Sequence, residues 1–226
     1  MPVKIFLLGL PGSGKSTVAR YITTFVRDRG CFATRINDYQ ILHKMFRDDI
    51  DGKKFRPTAH DGFDIIDLSV FNTSLQEVER TACHLISSAK KKEVILIEFA
   101  RNDYCEAFKL FSRDFLQDSY FLFLDADIET CKRRISERVA NPITDDDYFV
   151  SEYIFDAYYC KDNRHYMCSD LKTDYGIDDQ NVKIINNADP QQDSARMIDQ
   201  FVGFILKHEF NILDSAEALK VHAEVL

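Results

Sequence analysis

The chain has 226 residues, enough for one domain with a sizeable buried core, or one domain with a small lid. Hydrophobic residues make up 45% and charged residues 29%, an ordinary globular balance, and a formal net charge of −8 argues against general nucleic-acid binding. No run of 18 apolar residues reads as a membrane span, the apolar start is too short for a signal peptide, and the six cysteines lack metal spacing, so a cytoplasmic location with reduced thiols is expected.

Taken in order, residues 3–9, 32–36, 93–99, 120–125 and 182–186 read as strands rich in Ile, Val, Leu and Phe. Most are continuous apolar runs, the pattern of parallel strands covered on both faces. Between them, residues 15–29, 67–91, 104–116, 127–139 and 194–208 carry apolar positions at helical spacing, and Asp127 and Glu129 suit a helix N-terminus. A last helical segment, 214–225, packs on the body or on a partner, so a homodimer is allowed. The alternation predicts an α/β fold, a three-layer sandwich around a five-stranded parallel sheet, with ligands at the carboxyl ends of the strands. Residues 1–226 are read as one domain with an acceptor-side insertion near 38–92 and a helical lid near 132–168.

The first strand runs into Gly9-Leu10-Pro11-Gly12-Ser13-Gly14-Lys15-Ser16, a full match to G-x-x-x-x-G-K-[ST]. Amides around Gly12, Ser13 and Gly14 are expected to cradle phosphates, with Lys15 on the β and γ groups, Ser16 on Mg²⁺ and Thr17 near the α-phosphate. The second strand leads to Asp38, which reads either as a group that orients or deprotonates an attacking hydroxyl, or as the cap of a helix over residues 39–46. The third strand ends in Glu98, an acid placed to hold Mg²⁺, followed by Arg101, which reads as an anchor for substrate or phosphoryl oxygens or as a structural salt bridge. Arg134 and Arg138 lie four apart on one helix face and suit a phosphate clamp; the other reading is a solvated basic face. Asn187 to Pro190, with Asp189, form a polar loop at the end of the last strand, where an adenine or a plain turn fits. The segment 47–64 mixes charges and aromatics as an acceptor pocket would. Residues 141–148 read as an acidic lid loop that closes with Lys161, Arg164 and His165.

The stretches GLPGSGKST, ILIEFAR, FLFLDADIETCKRRISER and VKIINNADPQQDSARMIDQF together resemble the nucleoside and nucleoside-monophosphate kinase family of P-loop proteins. In that family an apolar strand, an Asp and R-I-x-x-R follow one another, and Arg134, Ile135 and Arg138 match. Residues 187–190 match the place of the family's adenine loop. Glu98 and Arg101 are similar to the deoxynucleoside kinase form, in which the Glu and Arg are adjacent; two residues intervene here. The resemblance implies an ATP- and Mg²⁺-dependent phosphotransferase acting on a small hydroxyl- or phosphate-bearing acceptor, such as a nucleoside, nucleotide or related metabolite. A polynucleotide 5′-hydroxyl kinase and a non-enzymatic nucleotide-binding regulator are the other readings of the cradle.

Overall fold

Continuous apolar strands need cover on both faces, and helices supply it on each. The computed structural model describes residues 1–144, 146–188 and 193–212; the predicted helix at 214–225 and the loop residues Asp189 and Pro190 lie outside the described residues. In chain order the elements are β1 (Val3–Leu8), α1 (Lys15–Arg27), β2 (Phe32–Asn37), α2 (Asp38–Asp48), β3 (Phe55–Pro57), β4 (Phe63–Ile65), α3 (Ser69–Ser87), β5 (Glu93–Glu98), α4 (Tyr104–Phe108), α5 (Arg113–Gln117), β6 (Ser119–Asp125), α6 (Ile128–Ala140), α7 (Glu152–Ala157), α8 (Leu171–Tyr175), β7 (Val182–Asn186) and α9 (Ser194–Phe210). The large sheet has the order β2-β5-β1-β6-β7 with every pairing parallel.

Alternate residues of the central strands feed two separate cores. Val3, Ile5 and Leu7 of β1 join Val94 and Leu96 of β5 against α1 and α9. Phe6 and Leu8 join Ile95 and Ile97 against α3, α4 and α5 on the other face. Phe6 stacks on Phe121, its register partner in β6, with ring centroids 5.0 Å apart, and Phe99, Phe108 and Phe111 meet it edge-on. The five predicted strands and the three-layer α/β arrangement are present.

Two local expectations give way. The helix expected over 104–116 is broken into α4 and α5, because the amide and hydroxyl of Ser112 both turn to Glu79 Oε1, at 2.9 and 2.5 Å. The break lets Phe108, Phe111 and Phe115 all reach the Phe6 ring. The acceptor-side segment also holds a small antiparallel hairpin, β3–β4, absent from the sequence reading. Phe55 and Ile65 from the hairpin bury against Leu42, Val70 and Phe71 as a core of their own. Asp49, read as an acceptor-side residue, accepts the amides of Lys54 and Phe55 at 2.8 and 2.9 Å and fixes the entry to the hairpin.

Candidate functional site

The carboxyl ends of β1, β5 and β6 bring the cradle, the third-strand acid and the α6 arginines to one cleft. Its volume is about 490 Å³, and Gly12, Gly14, Lys15, Ser16, Thr17, Glu98, Arg134, Arg138 and Asn187 line it. The first turn of α9 closes its far end at Ser194 and Ile198.

The glycines answer to close neighbours. Gly12 has φ +82°, and a Cβ there would lie 2.5 Å from the Cys131 carbonyl at the start of α6. Gly14 has φ +101°, and a Cβ would meet Asn187 Nδ2 at the same distance. Any L side chain at either position would be strained and would push α6 or the β7 loop off the cradle. Asn187 Nδ2 donates to the Ser13 carbonyl at 2.7 Å, and its amide donates to Asp125 O at 2.7 Å. Tyr104, the first residue of α4, pins the loop from below: its hydroxyl accepts the Gly9 amide at 2.7 Å. Ser13 differs from expectation. It is fully buried and its amide donates to Leu10 O at 3.0 Å, so it closes the loop instead of facing the cleft.

Lys15 is buried, and its ammonium donates to the Gly9 and Leu10 carbonyls at 2.9 and 2.8 Å. Burial pulls its pKa below 10.5, with Glu98 and Asp38 pulling back. Arg134 Nη2 donates to Asn187 O and Arg138 Nη2 to Tyr148 O, both at 2.7 Å. Among the described residues, Arg134 Nη1 and Arg138 Nε have no acceptor although both are buried. Orphaned cationic donors beside a phosphate cradle fit an anionic ligand.

Ser16 Oγ donates to Glu98 Oε1 at 2.9 Å. Glu98 Oε2 is held by Arg35 through Nε at 2.9 Å and Nη2 at 2.5 Å, which leaves Oε1 turned to the cleft. A hydroxyl and a carboxylate oxygen are the hard donors that Mg²⁺ prefers, and their spacing matches neighbouring corners of an octahedron with bonds of about 2.1 Å. Ser16 and Glu98 therefore fit the ion.

Arg35 was missed in the sequence reading. Its Nη1 also binds both oxygens of Asp146, at 3.0 and 2.8 Å, and Arg20 from α1 meets Asp146 at 2.8 Å. The acidic loop is thus latched by Asp146 to Arg20 of α1 and Arg35 of β2. Lys161 and Arg164 do not close on the cleft: they pair with Asp103 and Asp125 at 2.5 and 2.6 Å, and both line a separate cavity beyond β6. His165 is exposed and lies 3.7 Å from Asp170.

A second, smaller cavity adjoins the cleft across Lys15, Glu98 and Tyr148. Asp38 lies in its wall and does not cap the helix; Asn37 does, accepting the Tyr39 amide at 3.0 Å. Asp38 Oδ2 instead takes Arg101 Nη1 at 2.5 Å. Arg101 is 3% exposed, and it also donates to Ala100 O, Phe71 O and Ser74 Oγ at 2.6, 3.0 and 2.7 Å. Both Nη groups are spent on the protein, as the salt-bridge reading of Arg101 requires, and its buried Nε has no acceptor among the described residues. Burial pushes the Asp38 carboxyl above 3.8 despite the pull of Arg101.

A family model described as AAA domain matches residues 5–155. No curated protein matches the chain. Among solved structures, Chaetomium thermophilum Kti12 in complex with ADP-AlF3 is 14% identical, with 94% of this chain and 100% of that one covered and a TM-score of 0.48. Shikimate kinase from Acinetobacter baumannii, solved with shikimate, is 17% identical over 92% and 96% of the two chains, with a TM-score of 0.44. The Mycobacterium tuberculosis APS kinase CysC, solved with AMPPNP and APS, is 20% identical over 63% and 76%, also at 0.44. At these scores none of them assigns a substrate to this chain. Among the described residues no helix is long and apolar enough to cross a membrane. With its phosphate cradle, its parallel β2-β5-β1-β6-β7 sheet and a family match over residues 5–155, the chain belongs to the AAA domain family and has a P-loop kinase-like NTPase fold.

Proposed function

We propose that this chain is an ATP-dependent phosphotransferase that passes the γ-phosphate to a small hydroxyl- or phosphate-bearing acceptor. The observation that carries the reading is the meeting of Lys15, Ser16, Glu98, Arg134 and Arg138 on one cleft, with Asp38 in the cavity next to it. Lys15, Arg134 and Arg138 hold and neutralise the triphosphate, and Gly12, Gly14 and Thr17 shape its seat. Ser16 and Glu98 hold Mg²⁺, which when bound offsets charge on the phosphate oxygens. Asn187 borders the adenine end, as the resemblance implies.

Asp38 orients the acceptor hydroxyl and takes its proton. Its raised pKa suits that task better than an ordinary carboxyl would. Arg101 acts through Asp38: it is a positioning residue that fixes the carboxylate in the cavity wall. The latched loop over 141–148 covers the cleft and keeps water from competing with the acceptor.

The test is transfer of labelled γ-phosphate from ATP to a panel of nucleosides, nucleotides and small alcohols. Transfer to one class, well above acceptor-independent hydrolysis, is the expected result. Tight nucleotide binding with no transfer to any member would favour the regulator reading.

A further inference from the structure

Alternation along a strand puts Arg35 and Asn37 on one face of β2, and the register sets Asn37 opposite Glu98 and Arg35 opposite Leu96 on β5. Leu96 packs toward α1, so Arg35 stands on the α1 face, one diagonal step from Glu98 and within reach of a long side chain. Every nitrogen of its guanidinium is in use. Nε and Nη2 donate to Glu98 Oε2 at 2.9 and 2.5 Å, and Nη1 donates to both oxygens of Asp146 at 3.0 and 2.8 Å. The contacts continue on either side. Ser16 Oγ donates to Glu98 Oε1 at 2.9 Å, Arg20 Nη1 donates to Asp146 Oδ2 at 2.8 Å, and Arg20 Nη2 reaches Thr17 Oγ1 at 3.4 Å. Ser16 and Thr17 are neighbours in the chain, so the contacts close into a ring through Glu98, Arg35, Asp146 and Arg20.

One guanidinium thus serves two carboxylates with different tasks. Glu98 is 1% exposed and belongs to the sheet, whereas Asp146 belongs to the loop over the cleft. For a divalent cation Arg35 is a mixed neighbour. It takes one oxygen of Glu98 and leaves Oε1 with Ser16, but its own charge opposes a cation beside that oxygen. Asp146 offsets that charge only while the loop is closed. With the loop away, Nη1 loses both acceptors and the guanidinium faces Glu98 uncompensated, so the pair of Ser16 and Glu98 holds a cation less well. The arrangement needs a fork. A lysine ammonium is a point charge and cannot present one edge to Glu98 and a separate nitrogen to Asp146.

Resting on the reading that Ser16 and Glu98 hold Mg²⁺, we infer that Arg35 is a positioning residue that couples closure of the loop over residues 141–148 to the metal site. The closed loop raises the affinity of Ser16 and Glu98 for the ion, and by reciprocity the ion favours the closed loop. The loop therefore answers to metal-loaded nucleotide in preference to bare nucleotide. That gives it a task beyond excluding water: it separates a complex ready for transfer from one that lacks its metal.

The experiment measures binding of the non-hydrolysable analogue AMPPNP to the full chain by calorimetry, in Mg²⁺ and in EDTA. Wild type should bind it more tightly in Mg²⁺. Asp146→Asn should weaken binding about fivefold in Mg²⁺ and leave it unchanged or tighter in EDTA, because it also takes a carboxylate from the cleft wall. Arg35→Lys keeps a cation beside Glu98 and loses the bridge. In that background, adding Asp146→Asn should change binding in Mg²⁺ by less than about twofold. Hydrogen exchange over residues 141–150 reads the reciprocal effect: adding Mg²⁺ to the AMPPNP complex should slow it about fivefold in wild type and leave Arg35→Lys nearly unchanged. Equal weakening by Asp146→Asn in Mg²⁺ and in EDTA would make the loop a plain cover and overturn the inference. The same Mg²⁺-specific loss in the Arg35→Lys background would do so too, since Asp146 would then act on the ion directly. So would loop exchange indifferent to Mg²⁺ in wild type, a measurement that needs no variant to fold. If Mg²⁺ brings wild type no gain in affinity, the metal reading of Ser16 and Glu98 falls together with the inference, while the phosphotransferase reading is judged apart, by transfer to the acceptor panel.

Discussion

On the nucleotide side, Arg134 and Arg138 reach the cleft with buried N–H groups that no described residue accepts. On the acceptor side, Arg101 lies deeper, and both its Nη groups are bonded to Asp38, two backbone carbonyls and Ser74, while its buried Nε has no acceptor among the described residues. The two kinds of arginine look alike as letters. The difference lies at the Nη ends: those of Arg101 are closed by a carboxylate and protein oxygens, whereas Arg134 keeps a buried Nη1 with no acceptor among the described residues. The same contrast separates Lys15, held only by two carbonyls, from Arg35, which carries two carboxylates.

That comparison breaks first at Lys15. Lys15→Ala should lower phosphate transfer by about 10³-fold or more. Thermal unfolding should hold or move upward, because the change removes a charge whose burial is unfavourable. A variant with wild-type turnover would remove the cradle from the chemistry.

Arg101→Ala should behave in the opposite way. Removing one partner of a buried pair leaves Asp38 uncompensated and costs about 3–5 kcal/mol, read from urea unfolding. Adding Asp38→Asn to that variant should recover part of the stability while leaving transfer low. If Arg101→Ala unfolds like wild type and only the KM for the acceptor rises, Arg101 is a direct anchor after all.

Much of this was legible in advance, and the reason is local. A cradle motif is eight consecutive residues, and Arg134 and Arg138 share a face because they are four apart. Strand faces follow from alternation over a few positions. The partners of Arg101 were not legible: Asp38, Phe71 and Ser74 are brought to it by folding across 27 to 63 residues. Arg35 gave a signal, a basic residue inside a strand, but its partners Glu98 and Asp146 lie 63 and 111 residues away. The acidic lid made sense only with Arg20 and Arg35 beneath it. The break at Ser112 depends on Glu79, and the β3–β4 hairpin is too short, at three residues a strand, to leave an alternation.

Smaller effects sharpen the contrast. Arg134→Ala and Arg138→Ala should each cost about 10- to 100-fold in kcat/KM for ATP with little change in unfolding, since each gives a single hydrogen bond to a main-chain carbonyl among the described residues. Asp146→Asn should be milder, about two- to tenfold in the KM for Mg²⁺–ATP, because Arg20, one of its two partners, is about half exposed and its pairing is screened. Raising NaCl to about 0.5 M should weaken wild type toward the variant and leave the variant nearly unchanged. Equal salt sensitivity in both would detach Asp146 from lid closure.

The smallest effect is a fraction of a proton, and it tests whether the two sides hold their charges for opposite reasons. Burial pulls Lys15 below 10.5, so the ligand-free fold binds that proton less tightly than the unfolded chain does. Its contribution to stability therefore rises with pH through the window that ends at 10.5. Burial pushes Asp38 above 3.8, so there the fold binds the proton more tightly, and stability falls as pH rises from 3.8 upward. A polyphosphate favours the charged lysine, and ATP binding at alkaline pH should take up part of a proton at Lys15. Calorimetry in buffers of differing ionisation enthalpy reads that uptake directly. Wild type should show it and Lys15→Ala should not, whereas Asp38→Asn should leave it almost unchanged. Equal uptake by wild type and Lys15→Ala would place the titrating group elsewhere in the cleft.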